Sequence, residues 1–414
     1  MTTLPLHRNR DFMLLQMGRL LSSAGSQFSS IAYPLLVLAV TGSAARAGVV
    51  QFAGILPSAV FALPAGVMAD HANRKWLMIA ADAVRLVAIA SLAAAVLADR
   101  IPFWAIVLVA FVEGSGRAVF SAAEPGAMRA VVPARQLPTA AAAQTGRQAA
   151  VQMACPPLGG ALFGVARALP FLADAVSYTF SIGLLLAMRT PFQETRRRGR
   201  SSLRERVAEG FRFLWGQPFL RICAVLFGLS NFIGPGVLLA VVVIGRRQGL
   251  SGGQVGLLVA AFGACLLLGS FLSPLVRRRL PVRAVLLAEF WTWMGSGLFL
   301  IWPSVYVLAA SILPTALAIP SSDSVVHGYR IAMTPDRLLG RVSSVWTTIA
   351  LVIAPLGPLL AGLLLEVSER AAVATFAASG LLLAVWGTLS PAIRAAPSLD
   401  QLDDLAGGPA AGQV

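Results

Sequence analysis

Twelve runs of roughly 20 mainly apolar residues constrain this chain more than any other feature. They lie near 12–40, 48–69, 76–98, 103–123, 139–164 and 169–188, and then near 219–244, 255–276, 282–302, 305–322, 342–365 and 371–389. A run of that length crosses the hydrocarbon of a bilayer as an α-helix, because away from water only a helix or a closed barrel pairs every backbone N–H and C=O. Composition agrees: 57% of the 414 residues are hydrophobic and 12% are charged, against roughly 25% charged in soluble domains. The chain is therefore expected to be an all-α integral membrane protein with twelve transmembrane helices.

The formal charge of +15 would elsewhere suggest nucleic acid. Here the basic residues recur at the loops between apolar runs and no aromatics interleave with them, so no nucleic-acid partner is expected. With both termini placed inside, 22 basic residues fall in cytoplasmic segments and six outside: Arg46, Arg100, Arg167, Arg246, Arg247 and Arg370. That imbalance predicts a multi-pass chain with both termini cytoplasmic. The apolar run after the basic N-terminus MTTLPLHRNR is too long for the core of a cleaved signal, and is expected to be the first span.

Several chemistries are excluded. Lys75 is the only lysine and is followed by Trp76, whereas a P-loop needs Lys-Ser or Lys-Thr after its glycines. Cys155, Cys223 and Cys265 lie inside apolar runs without paired spacing, and His7, His71 and His327 are too scattered for a zinc site. The GLSGG match at 249–253 falls between apolar helices and lacks the strand-to-helix elbow that exposes a nucleophile. No enzyme, cofactor or metal is expected.

The longest polar stretch, 189–217, holds RRRGR at 196–200 and then Leu203, Val207, Phe211 and Leu214 at helical spacing. It reads as a cytoplasmic linker with an amphipathic helix along the inner membrane surface, with a regulatory site as the alternative. It divides the chain into six-helix bundles at 1–188 and 218–394, followed by a polar, acidic tail at 395–414 that is expected to be disordered. The halves repeat. Gly66, Asp70 and Arg74 are echoed by Gly269, Ser273 and Arg277, an offset of 203, and VPARQL at 132–137 by TPDRLL at 334–339. The helices after those two turns carry CPPLGG (155–160) and APLGPLLAG (354–362), where Pro and Gly weaken a helix or allow close packing. Parallel six-span halves suit transport, because two similar bundles can rock about a site.

The turn GVMADHANRK at 66–75 resembles the conserved turn after span two of the major facilitator superfamily, with Gly66, Asp70, Arg74 and Lys75 at matching positions. His71 replaces a usual base and Asn73 a usual glycine. The resemblance covers essentially the whole chain. Its details, AADAVRL (80–86), EPGAMRAVVP (124–133), FLADAVS (171–177) and LLGRVSS (338–344), are similar to bacterial enterobactin and macrolide exporters. It implies the major facilitator fold of two pseudo-symmetric six-helix bundles and a bacterial inner-membrane location. It also implies a gate in which the glycine packs against span eleven and the acid meets that helix's N-terminus. On composition alone the same turn is an orienting basic loop.

Ionisable residues inside spans are costly and mark coupling chemistry. Glu113 and Arg117 are four apart on one helix face near mid-span, which makes Glu113 the leading proton carrier. Arg147 is its alternative partner, or the contact of an anionic substrate; a permanent structural pair is the other reading of Glu113 and Arg117. Asp82 and Arg85, three apart, can pair with each other or with the Gly66 turn. Glu124 is placed to receive Arg74. Asp174 and Glu289 read as single carboxylates near span ends, and stay outside the mechanism. Spans one, four, seven and ten line the cavity in the resembled family, which brings forward Ser26, Gln27, Asn231 and Phe232 as polar contacts among apolar walls. Core packing and interhelical hydrogen bonds explain any one of them equally well. The expected function is secondary export of a small amphipathic compound (drug, macrolide or siderophore) by proton antiport and rocker-switch alternating access, in a monomer whose partners are substrate, protons and bilayer. An importer or facilitator of the same fold, or a receptor that binds without transport, is the alternative.

Overall fold

The computed structural model describes residues 6–190 and 203–396, and no strand occurs among them. The linker's RRRGR and the tail from 397 lie outside the described residues. The first half contains α1 (Arg10–Thr41), α2 (Ala44–Val60), α3 (Ala62–His71), α4 (Arg74–Leu97), α5 (Phe103–Val131), α6 (Leu137–Val165) and α7 (Leu169–Ala187). Then come the linker helix α8 (Leu203–Gly216), α9 (Pro218–Arg247), α10 (Gly252–Arg279) and α11 (Val282–Trp293). The chain closes with α12 (Val305–Met333), α13 (Asp336–Ile353), α14 (Leu356–Val367), α15 (Glu369–Leu389) and the single turn α16 (Pro391–Arg394).

Every apolar run is helical, and nine helical stretches among the described residues are long and apolar enough to cross a bilayer. Three runs fall short of that measure for readable reasons. The second is broken at Phe61, between α2 and α3, because Pro64 has no N–H to give the Val60 carbonyl and its ring crowds that oxygen. The fifth, α6, begins with a polar stretch containing Gln144, Arg147 and Gln148. The ninth leaves α-geometry after Trp293 and continues as a 3-10 helix over Met294–Leu300, where Gly295, Ser296 and Gly297 are weak helix formers. The break between α13 and α14 follows the same rule as that at Phe61, with Pro358 four residues after Ala354.

The chain forms two compact units. One comprises Met1–Arg197, Pro235–Ala264 and Pro355–Ala372; the other comprises Arg198–Gly234, Cys265–Ala354 and Val373–Val414. In the first unit, Phe12, Leu15, Met78, Phe120, Met128 and Leu185 form a buried apolar cluster. Small residues let backbones touch elsewhere in that unit. A Cβ added to Gly48 would lie 2.5 Å from the Pro358 carbonyl oxygen, one on Gly362 2.5 Å from that of Ala44, and one on Gly252 2.6 Å from that of Gly160. Gly160 of CPPLGG and Gly362 of APLGPLLAG thus serve close packing. Glu366 adds a cap there, accepting the amides of Ala44 at 2.9 Å and Ala45 at 3.2 Å at the start of α2.

In the second unit the helical spacing of 203–214 is realised as α8, which packs on α13. Leu214 is buried with Leu338, Val342 and Val345 of α13, and Val207 packs against that cluster. Arg341 pairs with Glu209. Phe211, expected on the apolar face, instead stacks on Trp215 with ring centroids 4.9 Å apart. All three cysteines are free.

Candidate functional site

Asn73, where the resembled turn has glycine, is the N-cap of α4, its Oδ1 accepting from Lys75 N at 3.0 Å and Trp76 N at 3.4 Å. Lys75 reaches the end of α7 and donates to the carbonyls of Leu186 at 3.2 Å and Met188 at 2.7 Å, so this cation satisfies a helix C-terminus. Arg74 donates to the Ala69 carbonyl at 3.2 Å and lies over Gly126 of α5. A Cβ on Gly66 would meet nothing within 4 Å; the close glycine contact with α14 is made by Gly48. His71 bonds the Val67 carbonyl of its own helix. Asp70's side chain lies outside the described residues.

Deeper in the first unit, α1, α4, α5 and α7 converge on Arg85, whose side chain is 1% exposed. It donates to Asp82 Oδ1 at 3.1 Å and Ser26 Oγ at 2.7 Å, lies 3.7 Å from Glu113 Oε1, and sits 4.2 Å over the Tyr178 ring. Gly116 makes the room: a Cβ there would be 2.5 Å from Arg85 Cγ. Ser181 donates to Asp82 Oδ2 at 2.6 Å. The pair sought for Asp82 and Arg85 is therefore with each other and with this network, and among the described side chains no gate-turn residue takes part in it.

Glu113, also 1% exposed, pairs with Arg117 at 3.5 Å as the i,i+4 spacing predicts. Its Oε2 accepts from Tyr33 at 2.8 Å and its Oε1 from Tyr178 at 3.3 Å. Arg147 does not reach it. Instead Arg147 and Arg19 grip Glu124 at 3.3 and 3.2 Å, with Gln144 donating at 3.2 Å and Gln16 accepting from Arg147. This corrects two expectations, Arg147 as partner of Glu113 and Arg74 as partner of Glu124. The physical reason is that α1 and α6 present their cations at the level of Glu124, about three turns beyond Glu113 along α5. Asp174 and Glu289, read as span-end acids, are both buried: Asp174 accepts from Ser29 at 2.6 Å, and Glu289 lies 2.7 Å from the hydroxyls of Ser230 and of Ser322.

The network has an open side. A cavity of 210 Å³ lies within the first unit, with Gln27, Ser30, Tyr33, Gln51 and Arg117 as its polar wall and Ile31, Val50, Leu238, Val242 and Val259 among its apolar wall. Arg117's side chain is 40% exposed. Tyr33 and Arg117 thus belong both to the cavity wall and to the shell of Glu113. Of the four expected cavity residues, Gln27 lines this space. Ser26 is bonded into the Arg85 network. Asn231 and Phe232 belong to the second unit, where Asn231 donates to the Phe227 carbonyl at 2.8 Å and Phe232 meets Phe376 at 5.4 Å; neither lines it.

Sequence reasoning missed Tyr33, Tyr178, Ser29, Ser181 and Gly116. Their signal was present: hydroxyls inside apolar runs need partners, and the GSG after Glu113 leaves space for a large neighbour.

The profile described as "Transmembrane secretion effector" matches residues 1–406. The "Multidrug efflux pump Tap" of Mycolicibacterium fortuitum is 26% identical, over 94% of this chain and 97% of its own. The "Macrolide efflux protein A" of Streptococcus pyogenes is 29% identical over 34% of this chain and 37% of its own. Among solved structures, a bacterial homologue of the iron transporter ferroportin in the inward-facing state superposes with a TM-score of 0.71 at 18% identity, covering 93% of this chain and 98% of that one. Fold, family profile and full-length relatives agree, and the chain belongs to the transmembrane secretion effector family of the major facilitator superfamily of membrane transporters.

Proposed function

We propose that this transporter exports a small amphipathic drug, a macrolide among the candidates, in exchange for protons carried by Glu113. The observation that carries this reading is the position of Glu113, a buried carboxyl whose partners Tyr33 and Arg117 stand in the wall of an amphipathic cavity. With Glu113 ionised, the charge of Arg117 is cancelled and the Tyr33 hydroxyl is turned inward. A proton on Glu113 leaves Arg117 uncompensated and frees that hydroxyl. A wall with a free guanidinium holds a cationic or apolar amphiphile less well than a neutralised one, so proton and drug oppose each other's binding. Exchange needs that opposition.

The names of the relatives, multidrug and macrolide efflux pumps, support the substrate class. In this reading the protein works as a monomer in a bacterial inner membrane, with both termini cytoplasmic, and its six-helix halves give alternating access by a rocker-switch motion. The test is uptake of a drug panel, with a siderophore as one arm, into inverted vesicles under an imposed proton gradient. Gradient-driven accumulation that collapses with an ionophore is the expected result; accumulation indifferent to the gradient contradicts the reading.

A further inference from the structure

The second unit holds a buried carboxyl that the exchange at Glu113 does not use. Glu289, on α11, is 4% exposed. Its Oε1 lies 2.7 Å from Ser230 Oγ on α9 and its Oε2 2.7 Å from Ser322 Oγ on α12. No Arg, Lys or His nitrogen among the described residues comes within ion-pair distance of it. An ionised carboxylate buried without a counter-charge costs several kcal/mol, so the hydrogen atoms around it decide its state.

They can be counted. Trp293 Nε1 has only a hydrogen to give and lies 3.3 Å from Ser230 Oγ, which leaves Ser230's own hydrogen for Glu289 Oε1. Ser322 has one hydrogen and two near acceptors, Glu289 Oε2 and the Ile319 carbonyl at 2.9 Å, with the Ala318 carbonyl farther off at 3.5 Å; the carbonyls can only accept. If Glu289 is ionised, Ser322 must abandon one of the two. If Glu289 carries a proton on Oε2, that proton goes to Ser322, Ser322's hydrogen goes to Ile319, and every bond is made.

We infer that Glu289 is held as a neutral carboxylic acid, a proton-binding site of the second unit separate from Glu113. The other charged and titratable groups of the surrounding elements do not neutralise it. On α12 they are Tyr306 in its first turn, Asp323, which is exposed and adds like charge, His327 and Arg330, which bond each other, and Tyr329, whose ring tilts against Phe219. On α9 they are Cys223, Arg221, which bonds the Trp215 carbonyl, and in its last turn Arg246 and Arg247, which bond the Leu250 and Leu365 carbonyls; on α11 it is Arg283, which bonds the Thr388 carbonyl. From α15, Gly380 packs on Trp293, and that helix carries no titratable group between 371 and 389. A metal cation does not fit either, since each carboxyl oxygen already faces a hydroxyl and hard cations gather roughly six or more oxygens.

The inference does not rest on the drug-exchange reading, and infrared spectroscopy of the purified full-length protein in lipid tests it without transport. At neutral pH the wild-type spectrum is expected to contain a deuterium-sensitive carboxylic-acid C=O band that Glu289→Gln loses and Glu113→Gln keeps. Loss of a carboxylate band in Glu289→Gln instead would overturn the inference. So would disappearance of the acid band on adding sodium. Should Glu289→Gln fail to fold, Ser322→Ala gives the same decision: removing the acceptor shifts the acid band to higher frequency, and an unshifted band refutes the assignment.

Discussion

Glu113 in the first unit and Glu289 in the second are both buried acids, and they are held in different ways. In the first, Asp82 and Glu113 share the guanidinium of Arg85, and Glu113 has Arg117 as well. In the second, Glu289 has serine hydroxyls alone among the described residues. Both solutions satisfy the oxygens, but they respond differently to a proton. Adding one to Glu113 breaks a charge pair and changes what the cavity wall presents. Adding one to Glu289 completes a hydrogen-bond chain and changes little around it. The lesson is that counting intramembrane carboxylates says less about coupling than asking whether each is paired with a cation that also faces substrate.

The largest effect that can break this comparison is expected from Arg85→Ala. Two carboxylates then lose a buried cation, and thermal unfolding in micelles should show a loss of about 3–5 kcal/mol. Glu113→Gln in that background should recover part of the loss, because one uncompensated charge is gone; no recovery would mean that Arg85 and Glu113 do not interact energetically. Ser322→Ala comes next. Leaving an acid proton without its acceptor costs about 1–3 kcal/mol. Arg117→Ala should cost under about 1 kcal/mol of stability, because its side chain is part-exposed, while still altering the pH profile of transport. Glu289→Gln should lie at the small end too, the amide replacing a neutral acid of the same shape. A destabilisation by Glu289→Gln as large as that of Arg85→Ala would erase the distinction between the units.

Much of this architecture was legible in the sequence. The apolar runs located the spans, and proline chemistry accounts for the breaks at Phe61 and Ala354. The spacings of four and three placed Glu113 beside Arg117 and Asp82 beside Arg85, because pairs on one helix depend only on helix geometry. Pairs between helices were not legible. Arg85 with Glu113, and Arg147 with Glu124, depend on how far each helix is rotated and slid against its neighbour, which no single run encodes. Depth misled in the same way. Asp174 and Glu289 lie only a few residues from the ends of their runs, yet neighbouring helices cover them, so closeness to a span's end along the chain is not exposure. The turn at Gly66 was found by its residues, but three details were not: Asn73 caps α4, Lys75 caps the distant α7, and the close glycine contact sits at Gly48.

The central claim is that Glu113 links the proton to the drug through Tyr33 and Arg117. Its most direct test compares drug accumulation in inverted vesicles for wild type and Glu113→Gln as the imposed proton gradient is varied. The account predicts that wild-type accumulation rises with the gradient, while the variant binds drug but no longer responds to the gradient. A variant whose accumulation follows the gradient as the wild type does would contradict it.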